Sequence, residues 1–136
     1  MSLLTSQLLQ ARLLAMTATF REHLLKTFGF LTDAGFSLVI ETYRPDVFGN
    51  YSAVFTAPDM QIRLVSDRSE VFVDIGLADG SWCDKEVLLE QAGIPRTRHP
   101  LNEIGLWSGY REDVQARDLE QYLQVLKAAA SAARPA

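Results

Sequence analysis

Two histidines, a single cysteine and a carboxylate inside an apolar run are the residues of this 136-residue chain whose types invite a chemical reading. Cys83 stands in Ser81-Trp82-Cys83-Asp84-Lys85, near an expected helix start, where a thiolate would be stabilised. The adjacent aspartate opposes that, and no histidine is close in sequence, so Cys83 reads as a half-buried thiol. His23 and His99 lie far apart and belong to no His-x-x-x-His or Cys-x-x-Cys pattern, so no metal site is expected. The expectation is a solvent-facing His23 on a helix and His99 in a loop. No Gly-x-Ser-x-Gly elbow, Gly-x-Gly-x-x-Gly turn or Walker-type loop occurs, which leaves no phosphate cradle and no cofactor. Asp74, within Val71-Phe72-Val73-Asp74-Ile75, is costly to bury without a partner. Arg63 on the preceding strand is the expected cross-strand partner, which makes a structural pair the first reading, recognition the second and acid/base chemistry the last. No catalytic residue is assigned.

Recognition suits the residues better. The net charge is −4, and it is unevenly spread. From Phe36 to Pro95 there are ten acidic and four basic residues, whereas the flanking segments each carry a net +1. That acidity disfavours nucleic acid as a direct ligand and permits a basic partner protein; its plainest meaning is solubility. Tyr43, Phe48, Tyr51, Phe72, Trp82, Trp107 and Tyr110 lie in or beside this region, and aromatics among carboxylates suit an interface, although core packing is the commoner use.

The elements that must position these residues are read from periodicity. The length fits one domain over residues 1–136, large enough to bury about two-thirds of its unfolded surface without a disulfide or metal. Leu4 to Thr32 reads as one long helix or two shorter ones, with Leu4, Leu8, Ala11, Ala15 and Ala18 on one face, then Leu24, Phe28 and Leu31. Core burial is expected for that stripe, a weak point at Met16-Thr17-Ala18-Thr19, and a C-terminal stop at Gly35.

Four strands follow, Phe36–Tyr43, Asn50–Thr56, Met60–Val65 and Glu70–Gly76, joined by short turn-rich connections that imply an antiparallel meander. Phe36, Leu38 and Ile40 are expected on one face of the first strand, with Ser37, Val39 and Glu41 on the other. A short helix is expected from Cys83 to Ala92, ended by Gly93 and Pro95. A loop held by Leu101, Ile104, Leu106 and Trp107 then leads to a helix from Asp113 to Ala133 that frays through its alanines. The expected fold is α+β, an antiparallel sheet of about four strands packed against N- and C-terminal helices. No basic n-region and no run of about 18 apolar residues occurs, so a cytoplasmic protein without a membrane span is expected.

The stretch Phe48-Gly49-Asn50-Tyr51, the run from Ile62 to Ile75 with its Asp67-Arg68 tip, and Trp82 resemble a widespread set of small bacterial proteins. These include immunity proteins of toxin systems such as contact-dependent growth inhibition. The resemblance covers about a third of the chain. It implies a small acidic α+β protein, a monomer or weak dimer, that binds one cognate toxin domain, often a nuclease, and fixes no contact residue. On charge concentration alone, Asp67, Glu70, Asp79 and Asp84 are the candidate partner-binding carboxylates, with Trp82 as an aromatic anchor. The alternative is a small acidic secretion-type chaperone, usually dimeric, that holds an effector segment unfolded.

Overall fold

Along Asn50–Ala57 buried and partly exposed residues alternate without a break, and the same alternation runs through Glu70–Gly76. Period-two burial means that one face of a sheet is covered and the other is not. The computed structural model describes residues 3–46, 50–68, 70–96 and 111–132. Its elements are α1 (Leu3–Thr27), α2 (Phe30–Asp33), β1 (Ser37–Arg44), β2 (Asn50–Ala57), β3 (Met60–Asp67), β4 (Glu70–Gly76), β5 (Trp82–Asp84), α3 (Lys85–Gln91) and α4 (Glu112–Ala132). The fold is α+β, an open antiparallel sheet of order β1-β2-β3-β4-β5 with N- and C-terminal helices on one side. The fifth strand, three residues long, is too short for any alternation to betray it in sequence. It pairs with β4 through Asp74–Asp84, Ile75–Cys83 and Gly76–Trp82. The expected helix start at Cys83 therefore moves to Lys85, where the Asp84 side chain caps it by accepting from the Glu86 amide at 2.7 Å.

The covered face carries Tyr51, Ala53 and Phe55 of β2, Ile62 and Leu64 of β3, and Val71, Val73 and Ile75 of β4. Leu24, Phe28, Leu31, Leu88, Leu89, Leu119, Leu123 and Leu126 close over them from the helices. The expected fraying of α4 is not observed up to Ala132, because Ala130 is buried in this core.

Three further expectations change. In β1 the register slips between Leu38 and Ile40, a bulge at Val39. Alternation breaks there, so Ile40 turns outward, 58% exposed, while Glu41 turns inward. Glu41 is held there by Arg21 Nε, at 3.1 and 2.9 Å, and by the Tyr51 hydroxyl at 2.8 Å. The Arg21 hydrogen bonds, against some desolvation, keep its carboxyl below the usual range.

Second, α1 runs unbroken through Met16–Thr19, where Thr17 and Thr19 hydroxyls donate to the Leu13 and Ala15 carbonyls at 2.8 and 2.9 Å. The break falls instead at Gly29, where a Cβ would lie 2.8 Å from the Leu25 carbonyl oxygen. Gly35, at φ 92°, does end α2: its amide donates to Thr32 and the Phe36 amide donates to Leu31, a Schellman stop.

Third, the first half of α1 is not core. Residues 5–16 are all exposed, Leu8 at 64% and Leu14 at 68%, and burial begins only around Phe20 and Leu24. A helix of 25 residues spans about 37 Å, whereas the eight-residue strands beneath it span about 26 Å. Apolar spacing shows that a face is greasy, not that a surface lies opposite it.

The last third of the chain is tied together by charge. Lys85, 1% exposed, donates to Glu86 Oε1 at 2.6 Å and to Asp118 of α4. Arg96 donates to Glu86 through Nε at 2.7 Å and Nη2 at 3.0 Å, and also reaches Asp118. Its guanidinium lies 5.5 Å over the Tyr122 ring, where α4 departs from helical geometry. Burial alone would raise the Glu86 carboxyl, but the Arg96 and Lys85 hydrogen bonds win and hold it at about 2. Removing one partner strands a buried charge, so Asp118→Ala should lower unfolding free energy by about 3–5 kcal/mol in urea titrations. The Glu86 contribution is complete above the unfolded carboxyl pKa near 4.3 and is lost as pH falls through about 2. Glu86→Gln should be less stable at pH 7 and show a shallower loss of stability between those limits.

Candidate functional site: the uncovered face of the sheet

No described element packs on the outer face of the sheet, and none of its residues is fully buried. Strand register arranges that face in rows. One row crosses all five strands as Ile40, Val54, Arg63, Asp74 and Asp84, and the next runs Thr42, Ser52, Val65 and Phe72. Arg63 donates to Asp74 Oδ2 from Nε at 3.1 Å and Nη2 at 2.8 Å, the cross-strand pair expected from sequence. The Arg63 guanidinium also lies 4.7 Å from the centroid of the Trp82 ring, so the anchor aromatic is flattened onto the face by a cation–π contact.

Four of the five sequence-assigned partner residues, Asp67, Glu70, Trp82 and Asp84, fall on this face, and Asp79 lies in the turn beside it. They form two groups about 20 Å apart, at opposite ends of β4. Asp67 and Glu70 face each other across the β3–β4 hairpin, whose tip residue Arg68 has a φ of 50°. Two opposed carboxylates repel unless a cation sits between or above them. At the other end, Asp84 is committed to capping α3. Burial first, then Asp74 and Glu86, push its carboxyl above the usual range against the Glu86 amide. Asp79 is committed to its own turn, accepting from the Ser81 amide at 2.9 Å and hydroxyl at 2.5 Å, which lower its pKa. Asp67, Glu70 and Trp82 are thus the members on the open face that cap no helix or turn.

The aromatic set divides sharply. Phe72 and Trp82 belong to the open face. Tyr43 and Tyr51 belong to the covered one, where Phe20 packs on them at 5.5 and 5.6 Å. Phe48, Trp107, Tyr110 and His99, with the loop apolars Leu101, Ile104 and Leu106, lie outside the described residues. Val54 and Val65 lie on the face that strand alternation gives them, and Ile40 joins them there because of a bulge that has no sequence mark.

His23 is exposed as expected, but its Nε2 lies 2.5 Å from Glu112 Oε2 at the start of α4. A contact across 89 positions leaves no local signal. Among the described residues no group of three or more His, Cys, Asp and Glu could hold a metal ion, and no helix is long and apolar enough to cross a membrane. Comparison with protein-family models, with curated proteins and with solved structures gives no match.

Cys83 sits partly buried on β5, and burial, followed by the charges of Asp84 and Asp74, pushes its thiol up from the ordinary value. Alkylation by iodoacetamide at pH 7.5 (an assay choice of roughly one unit below the usual thiol range) should be slower than for a free cysteine. It should recover on adding denaturant.

Proposed function

We propose that this chain is an immunity-type protein that binds and neutralises a cognate bacterial toxin domain, a basic nuclease being the partner its charge suits best. The observation that carries the reading is the open sheet face, where Phe72 and Trp82 lie among Asp67, Glu70 and Asp74 with no described element over them. An interface needs a desolvated aromatic centre and a charged surround, and this face supplies both. Asp67 and Glu70 would stand where substrate phosphates stand, against the lysines and arginines of a nuclease site. The excess negative charge of −4 would hasten encounter with a basic surface.

One observation favours the chaperone alternative. Leu8, Leu9, Leu13, Leu14 and Met16 are exposed along α1, an apolar surface suited to an extended effector segment or to dimer contacts.

The test is affinity capture from source cells, followed by titration of the captured partner. A folded basic domain bound one-to-one to a monomer supports immunity. Asp67→Lys combined with Glu70→Lys should then weaken binding at least roughly ten-fold and flatten its salt dependence, with Trp82→Ala losing affinity at every salt concentration. Unchanged affinity in both variants sinks the assignment of the face. A dimer holding an unfolded segment selects the chaperone.

A further inference from the structure

On the helix-covered side, at the same end of the sheet as Asp67 and Glu70, a cavity of about 310 Å³ opens between α1, the β3–β4 hairpin and the start of α4. Phe20, Leu24, Val71 and the Tyr51 ring form its walls. Ser66, His23 and Glu112 supply its polar end. The cavity is large enough for a chain of four or five heavy atoms with a polar head. One buried acceptor at the start of α4 belongs to this lining and lacks a donor among the described residues. Glu112 Oε2 is engaged by His23, but Glu112 Oε1 is buried and has no hydrogen-bond partner among the described residues. One turn on, behind the cavity lining, Gln115 is 2% exposed: its amide nitrogen donates to the Val71 carbonyl at 2.8 Å, and its Oε1 has no partner among the described residues.

Buried acceptors call for donors. The open Glu112 oxygen, beside one already engaged by His23, asks for a group that donates and accepts nothing. Ammonium and guanidinium are the organic groups with that inventory. The Glu112 oxygen belongs to a carboxylate, which makes the bond charge-assisted. The walls fit the rest of such a ligand, because an aliphatic stem packs on Leu24 and Val71 while the stacked Phe20 and Tyr51 rings offer π-density to a cation. The opposed Asp67 and Glu70, one residue beyond Ser66 and Val71 in the ladder, place further negative charge nearby. We infer that this cavity is a binding site for the head of an alkylammonium or alkylguanidinium group. The group comes either from a free small amine or from a lysine or arginine side chain of a bound protein. The inference does not depend on the immunity reading and survives its failure.

The probes are butylammonium and butylguanidinium, and the capped amino acids N-acetyl-lysine and N-acetyl-arginine methylamide. Each is titrated at constant ionic strength and followed by backbone amide NMR shifts and calorimetry. Saturable binding is expected, with shifts at Leu24, Val71 and Glu112. Glu112→Gln keeps the shape and removes the charge, and should weaken binding roughly ten-fold. Asp113→Asn is the control: Asp113 is exposed and paired with Arg111 at 2.6 Å, and its loss should leave affinity unchanged. Tighter binding of a capped amino acid than of its alkyl analogue assigns the site to a protein side chain, and the reverse assigns it to a free amine. Absence of saturable binding by all four probes, or equal affinity in Glu112→Gln, overturns the inference.

Discussion

Lys85 is a full positive charge almost wholly removed from water, and the arrangement of the last third of the chain follows from where that charge finds its partners. Glu86 is its neighbour in sequence, but Asp118 is on another helix, and Arg96 bridges both carboxylates from the chain beyond α3. Two cations and two carboxylates balance, so the cluster is neutral as a unit and intolerable in part. Its geometry locks α4 beside α3 and thereby over β4, where Gln115 donates to the Val71 carbonyl. Once α4 lies there, both terminal helices cover the same face. The opposite face is left to solvent among the described residues.

That one-sidedness gives the sheet two different surfaces at its β3–β4 end. Outside, Asp67 and Glu70 oppose each other above a face with Phe72 at its centre. Inside, a walled pocket ends in His23 and Glu112, one of whose carboxylate oxygens has no donor among the described residues. Both surfaces carry carboxylates but differ in scale: the outer one is an open sheet face, the inner one a cavity of about 310 Å³.

What the sequence discloses and what it hides divide along physical lines. Tyr51, Ala53 and Phe55, then Ile62 and Leu64, then Val71, Val73 and Ile75 share a face of their strands by period alone, and the structure turns that face inward at each. The Arg63–Asp74 pair is legible for the same reason, since one short turn fixes the register. Glu41 is not legible. The extra residue at Val39 reverses the expected face of Ile40 and Glu41, and nothing in Val39-Ile40-Glu41 marks which residue will bulge. The short β5 escapes because three residues carry no pattern. The His23–Glu112 contact and the Lys85–Asp118 pair are products of tertiary approach, visible only once α4 is placed. Of the residues proposed for recognition, Asp67, Glu70 and Trp82 lie on the open face, whereas the Asp79 and Asp84 carboxylates accept backbone amides, contacts that local residue type does not announce.

The outer half of α1 has a thermodynamic meaning beyond its exposure. Fewer than fifteen residues of helix are marginal in water, because the first turn orders several dihedrals for one hydrogen bond. Here that nucleus is supplied by the docked half around Leu24 and Phe28, so the outer turns only propagate an existing helix. They can melt and re-form one residue at a time while the sheet stays closed, on a local free-energy scale far below that of global unfolding. Whatever covers Leu9, Leu13 and Met16 must quench that helix–coil motion, so contact with the arm is coupled to a folding step.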